Sequence, residues 1–137
     1  MTRSPAALIL ADPPIPGACL PGLEPLLGPE GCARLQEVLV RRAAAWAAAI
    51  APGRALVAGD VAELVPEGTV VFPQSGEHRG ERLIAAVEEA FAWAGPGPLL
   101  VAGTGVPRLS APHAAAALAD LAEGCDATFG PALDGGF

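Results

Sequence analysis

The chain has 137 residues, of which 52% are hydrophobic and 17% charged, so we expect a single domain, residues 1–137, with enough apolar side chains to bury a core. Its formal net charge is −7 and it contains no lysine, which argues against a nucleic-acid partner. No apolar run is long enough to span a bilayer, and Cys19, Cys32 and Cys125 match no zinc spacing. We therefore expect a cytoplasmic protein with reduced, structural thiols and no membrane partner.

The first half of the chain alternates strand-like and helix-like segments. Residues 6–11 form a short apolar run that ends at Asp12-Pro-Pro, which predicts a buried strand and not a secretion signal. After a long loop, a helix is predicted from Pro29 to the Pro52-Gly53 stop. Residues 54–58 and 69–72 predict two more strands, with a brief helical turn capped by Asp60 between them. The side chains predicted to pack the helix on the core are Leu35, Val38, Leu39, Trp46 and Ile50.

The second half repeats the alternation. A polar stretch, residues 74–82, leads into a second helix that ends before Gly95, and residues 98–103 predict a buried strand. Ser110 is predicted to cap a third helix, with Pro112 in its first turn and Gly124 at its end, and residues 126–129 predict a last strand. The predicted inner faces are Leu83, Ile84, Val87 and Phe91 in the second helix, and Leu118 and Leu121 in the third.

This order predicts the α/β class, with three layers (α/β/α) and a mostly parallel sheet covered on both faces. Ligands of such sheets bind at the loops that leave the carboxyl ends of the strands. The loop Gly103-Thr-Gly-Val-Pro107 follows the predicted central strand, so it is the first place to look for chemistry. It offers no acid, base or metal ligand stronger than the Thr104 hydroxyl.

Common motifs do not fill this gap. Arg108 stands where a dinucleotide-binding motif needs its third glycine, and a phosphate-binding Walker loop needs a lysine that the chain lacks. His78 and His113 have the settings of solvated and surface histidines. The polar stretch 74–82 has two interpretations, since its backbone N–H groups could bind an anion or it could be a solvated turn.

An ordered set of short motifs nevertheless resembles a known family along the whole chain. The family is the bacterial glycosyltransferase-A-like group of uncharacterised proteins, described as nucleotide-diphospho-sugar transferase-like. The matching stretches are Ala11–Gly17, Leu20–Leu23, Leu27–Glu30, Gln74, the set Gly76, Gly80, Arg82 and Leu83, then Gly103–Leu109, and Gly130–Phe137.

The resemblance implies a glycosyltransferase-A type fold that binds a nucleotide-sugar with a divalent metal, Mg²⁺ or Mn²⁺. It implies that Asp134 acts as metal ligand or base. The implied substrate-binding residues are Gly17, Gln74, Gly76, Gly80, Arg82, Gly103, Gly105 and Gly135. Arg79 and Arg108 are further candidates for neutralising the diphosphate.

The chain departs from the family pattern at charged positions. Gly105 stands where the family has the acid that faces the metal, so we expect no metal ligand from this loop. Asp12, Leu20 and Gly22 stand where the family has basic residues that face phosphate. The family domain also continues beyond the Asp-Gly-Gly motif, so its C-terminal part is expected to be missing.

Two hypotheses remain. The first is a transferase-like protein whose metal and phosphate site is degenerate, and which is weakly active or inactive. The second is a non-catalytic binding or interaction module that retains only the fold. We also expect homo-oligomers, because the predicted strand 126–129 would present an unpaired edge.

Overall fold

The fold is a four-stranded parallel sheet between helices, as seen in a computed structural model that describes residues 4–131 and residue 133. The strands are β1 (Ala6–Leu10), β2 (Ala55–Ala58), β3 (Val70–Phe72) and β4 (Leu99–Gly103), and the helices are α1 (Glu24–Ile50), α2 (Arg79–Ala94) and α3 (Ala111–Ala122). Short 3₁₀ turns cover Pro21–Leu23 and Ala62–Leu64. None of the described helices combines the length and apolar character needed to cross a membrane.

The sheet order is β3-β2-β1-β4, so the first strand of the chain lies at the centre. Ala7 pairs with Ala55 on one side and with Leu100 on the other, and both pairings are parallel. The chain builds the sheet outward from β1 to β2 and β3, then crosses to the opposite side for β4. The reversal creates a topological switch point between the carboxyl ends of β1 and β4, where ligands bind in open α/β sheets.

Both faces of the sheet are covered, which confirms the predicted three-layer α/β/α class. Ile9 and Val57 point to a core cluster that also includes residues of α1 and α3. Leu8 and Leu56 point the other way, to a cluster that includes residues of α2. Successive residues of β1 therefore enter different cores, and this is why the strand has no polar side chain.

The predicted inner face of α1 is only partly correct. Most of the residues that bury are small ones on a neighbouring face, whereas Val38 is 51% exposed. Trp46 and Ile50 flank this contact as half-buried side chains. Small side chains let the helix approach the sheet closely, so the bulky residues are displaced to its margins. The buried residues of α1 are Cys32, Ala33, Gln36, Val40, Ala43, Ala44 and Ala47.

The same correction applies to α2, where Ala86 and Ala90 are buried while Ile84 is 61% and Phe91 44% exposed. In α3 the predicted Leu118 packs against the core beside the buried Ala114. In both helices the buried residues are alanines, which a search for large apolar side chains does not detect.

Helix boundaries follow the predicted signals closely. The α1 segment breaks at Gly28, whose φ of 71° is non-helical, so the long regular helix starts at Pro29 as predicted. Ser110 is the N-cap of α3. At its other end Gly124 has a φ of 105° and donates its N–H to Leu121, while Cys125 donates to Asp120. This hydrogen-bond pair is a Schellman motif. The predicted Asp60 cap is wrong, because Val61 is the N-cap of the turn at Ala62–Leu64.

The predicted strand at 126–129 is also wrong, because these residues form no strand. Thr128 instead donates its hydroxyl to the Asp120 carboxylate of α3 at 3.3 Å. The unpaired edge expected near Phe129 therefore does not exist as such. Within the described residues, the outer edges of the sheet are those of β3 and β4.

Candidate functional site

All four strands point the same way, so the loops after them meet at one edge of the sheet, which we call the carboxyl edge. Gly59 follows β2 directly and donates its N–H to the Phe72 carbonyl of β3 at 2.9 Å. Ala11 follows β1 and donates to the Ala58 carbonyl at 2.9 Å. These bonds continue the sheet one residue past each strand and fix where the loops begin.

At the switch point, Gln36 of α1 joins the loops that follow β1 and β4. Its Nε2 donates to the Asp12 carbonyl at 2.9 Å and to the Thr104 hydroxyl at 3.4 Å. Gln36 is only 3% exposed, and no other polar side chain is that deeply buried within the described part of the chain. Sequence reasoning missed it, although a glutamine placed three and four residues from the buried Ala33 and Val40 was a usable signal.

Gln74, a predicted site residue, makes a matching link between the loops after β1 and β2. Its Nε2 donates to the Ala11 carbonyl at 3.0 Å and to the Ala58 carbonyl at 3.1 Å. Its amide is thus a second donor to the Ala58 carbonyl and bonds the Ala11 carbonyl just beyond β1. The described contacts of Gln74 are structural.

The entrance of α2 brings together the predicted Gly76 and Arg82. A Cβ added at Gly76 would lie 3.0 Å from the Arg82 backbone nitrogen, so glycine permits this close packing. The Glu77 N–H donates to the Glu81 carboxylate at 3.0 Å, which places an internal acid at the start of the helix. An external anion would have to compete with this carboxylate for the backbone donors.

The side chain of Arg82 is half-buried and makes no hydrogen bond or ion pair with any residue that the structure describes. Its backbone N–H donates to the His78 carbonyl, the first turn of α2. Arg82 therefore has a guanidinium available to a ligand.

The predicted glycines lie in open space at the same edge. Gly17, Gly80, Gly103 and Gly105 are exposed, and a Cβ at any of them would meet no atom within 4 Å. Gly17 alone of these has a positive φ, 82°. The predicted Asp134 and Gly135 lie outside the described residues.

The residues that the structure describes at the carboxyl edge do not form a ligand set for a divalent metal ion. Among residues 4–131 and 133, no group of three or more His, Cys, Asp and Glu side chains comes together. At the carboxyl edge, the glutamine amides already donate to the carbonyls of Ala11, Asp12 and Ala58. Hard cations need several free oxygen ligands, and these described loops do not offer such a set.

Ser110 and His113 form a pair that the sequence did not reveal. The Ser110 Oγ lies 2.9 Å from His113 Nδ1, and the Ser110 N–H donates to the same nitrogen at 3.1 Å. The pair is a capping box at the start of α3, with histidine in the place usually taken by Glu or Gln. The N–H contact is one of the two bonds of the capping box, and the Oγ–Nδ1 contact lies beside it at the same helix start.

The loop between β1 and α1 carries a buried thiol. Cys19 and Cys32 share a small cluster with Ala33, and Cys32 Sγ donates to the Leu20 carbonyl at 3.5 Å. Burial raises the pKa of the Cys19 thiol above its ordinary value, with a further contribution from the neighbouring Cys32.

This shift predicts a pH dependence of stability. The unfolded Cys19 thiol ionises at a lower pH than the folded one, so the free energy of unfolding should fall as the pH rises above about 8.5. Urea unfolding of the wild type and of Cys19→Ala at several pH values from neutral upward measures this slope. The variant should show a shallower decline, and equal slopes would contradict the assignment.

Comparison with known proteins gives these observations a context. A family model for an uncharacterized protein conserved in bacteria, DUF2064, matches residues 34–137. The chain belongs to this family. No curated protein matches it. The family match begins within α1 and includes β2, β3, β4 and the switch-point loop after β4.

One similar solved structure is a proposed nucleotide-diphospho-sugar transferase from Desulfovibrio desulfuricans G20. Its TM-score is 0.82 at 26% sequence identity, and the match covers 98% of this chain and 61% of that one. The present chain thus spans about three fifths of its neighbour's length. The similarity confirms the predicted fold, of the nucleotide-diphospho-sugar transferase type, and the resemblance to glycosyltransferase-A-like proteins.

Proposed function

We propose that this DUF2064 member is a nucleotide-diphospho-sugar transferase-like protein. In this proposal the carboxyl edge binds the nucleoside diphosphate part of a nucleotide-sugar, and transferase activity is weak or absent. The observation that carries it is the switch point between β1 and β4, which Gln36 holds together in a fold shared with a proposed transferase.

Low activity follows from the charges at this edge. Sugar transfer leaves a diphosphate whose negative charge must be stabilised by metal ions or basic groups. The described donor set does not fit a metal, and Gly105 supplies no carboxylate. We choose Arg82 as the cation because it is partly buried and its side chain makes no hydrogen bond or ion pair with the described residues. We assign to it the contact with the diphosphate.

Arg82→Ala should therefore weaken binding of a nucleoside diphosphate by about tenfold or more, the usual scale for losing a charged hydrogen-bond donor. Isothermal titration with uridine, guanosine and adenosine diphosphates, with and without Mn²⁺, measures this. Arg41→Ala is the matched control, since Arg41 is exposed and, among the described residues, pairs only with Glu37 of its own helix. Equal affinity in wild type and Arg82→Ala would remove Arg82 from the site.

The alternative function is a non-catalytic interaction module, and the edge strand β4 favours it. Its sequence Leu-Leu-Val-Ala-Gly has no charged residue, and Val101 is 42% exposed. Edge strands without charges are prone to pair with other chains. A protein that binds none of the nucleotides but dimerises in light scattering would favour this second function. A monomer that binds nucleotide would favour the first.

A further inference from the structure

The contact with Gln36 determines which way the hydroxyl of Thr104 donates. The Nε2 of glutamine can donate hydrogen bonds but cannot accept them, so in the 3.4 Å contact the Thr104 oxygen is the acceptor. The same Nε2 donates to the Asp12 carbonyl at 2.9 Å, which uses its second hydrogen and fixes the orientation of the amide. The hydrogen of the Thr104 hydroxyl must then point away from Gln36.

That hydrogen has no acceptor among the residues that the structure describes. Thr104 is half-buried, lies directly after β4 at the switch point, and has glycines on both sides. A Cβ at Gly103 or Gly105 would meet no atom within 4 Å, so the residues that flank Thr104 leave room for a ligand beside the loop. A partly exposed hydroxyl with a free hydrogen donates to water in the unbound protein and can donate to an oxygen of a bound ligand in its place.

We infer that Thr104 is a ligand-binding residue at the switch point between β1 and β4, and that its hydroxyl donates to an oxygen of the bound diphosphate. Gln36 is the positioning residue, because its amide occupies the acceptor side of the hydroxyl and directs the hydrogen outward. The inference rests on the proposed function. It adds an uncharged donor, in the loop after β4, to the diphosphate contact assigned above to Arg82 at the start of α2.

Gln36 is suited to this role because its amide cannot reorient freely. The side chain is almost completely buried and comes from α1, which packs against the sheet and does not belong to either loop. Replacing it by leucine keeps similar volume but removes both hydrogen bonds. The Thr104 hydroxyl could then rotate, and its hydrogen would no longer be directed toward the ligand.

The test is a double-mutant cycle on nucleotide affinity. Isothermal titration uses whichever of uridine, guanosine and adenosine diphosphate the wild type binds most tightly. Thr104→Val should weaken binding about tenfold, as for loss of a hydrogen bond to a charged group, and Thr104→Ser should stay within about threefold of the wild type. Gln36→Leu should weaken binding about threefold or more. The affinity of the double variant should lie within about twofold of that of Thr104→Val.

A stability control separates positioning from simple damage to the core. Val40→Ala removes volume one helical turn from Gln36, at a residue with no exposed surface, and touches neither loop bond. It should lower the melting temperature while leaving the nucleotide affinity within about twofold of the wild type. Loss of affinity in Val40→Ala equal to that in Gln36→Leu would overturn the positioning role.

The remaining outcomes are also decisive. If the wild type binds a nucleoside diphosphate and Thr104→Val binds it equally well, the proposed function stands and the role of Thr104 is wrong. If the effects of Gln36→Leu and Thr104→Val multiply fully in the double variant, the residues act independently and Gln36 does not orient the hydroxyl. If the wild type binds none of the nucleotides, the proposed function fails and this inference fails with it.

Discussion

Gly59→Ala is expected to destabilise the protein by about 3 kcal/mol or more, because strain and a backbone clash would act at the same residue. Gly59 is buried and has a φ of 146°, a conformation that alanine rarely adopts. A Cβ there would collide with the Ala11 carbonyl oxygen. This oxygen cannot move away easily, because it accepts the Gln74 amide at 3.0 Å. The change would therefore disturb the carboxyl edge where β1, β2 and β3 meet.

Urea unfolding monitored by circular dichroism measures the loss. Gly53→Ala is the matched control, since Gly53 also has a positive φ, 72°, but open space around its Cβ position. It should cost only about 1 kcal/mol, the strain of the left-handed conformation. Equal losses in the variants would mean that the contact with Ala11 is unimportant.

Gly105→Asp is expected to increase the dependence of nucleotide binding on divalent metal relative to the wild type. The position is exposed, and a side chain would meet no neighbouring atom within 4 Å, so the carboxylate can be accommodated without distortion. A carboxylate in the loop after β4 and the oxygens of a bound diphosphate could then share one cation. We expect Mn²⁺ to tighten nucleoside diphosphate binding of the variant about tenfold.

The measurement is isothermal titration of the nucleotide with and without Mn²⁺ for wild type and variant. Gly68→Asp adds the same charge at an exposed residue shortly before β3. Gly68 therefore lies at the amino ends of the strands, away from the carboxyl edge. It should leave the effect of Mn²⁺ unchanged. If Gly105→Asp gains no more from Mn²⁺ than this control, the correspondence between Gly105 and the family's acidic residue is wrong.

The architecture could be predicted well from the sequence because strands and turns are recognisable from short stretches of neighbouring residues. The apolar runs of β1 and β4 end in proline or glycine, and these boundaries need only neighbouring residues to be recognised. The helix faces were predicted less well. Large side chains were assumed to point inward, whereas close packing on the sheet selects alanines such as Ala44 and Ala47. Which face packs depends on the sheet, and the helix sequence does not contain that information.

The site was harder to predict for the same reason. Gln36, Thr104 and Asp12 are far apart in the sequence, and their contact exists only because α1 passes over the switch point. Gly59 gave no local signal either, since what requires a glycine there is the close approach of Ala11, which follows β1. The wrongly predicted strand at 126–129 shows that a local signal can also mislead. A segment of β-like composition forms a strand only where a partner strand is available.

The central place of β1 sets the order in which this protein can fold. It is made first, but Ala7 must wait for Ala55 on one side and for Leu100 on the other. Closing such distant contacts is slow, because chain entropy is lost before the contacts form. During synthesis, the uncharged segment Ala-Ala-Leu-Ile-Leu stays unpaired on one edge until β4 has left the ribosome. A nascent chain can therefore aggregate through this segment until β4 pairs with it.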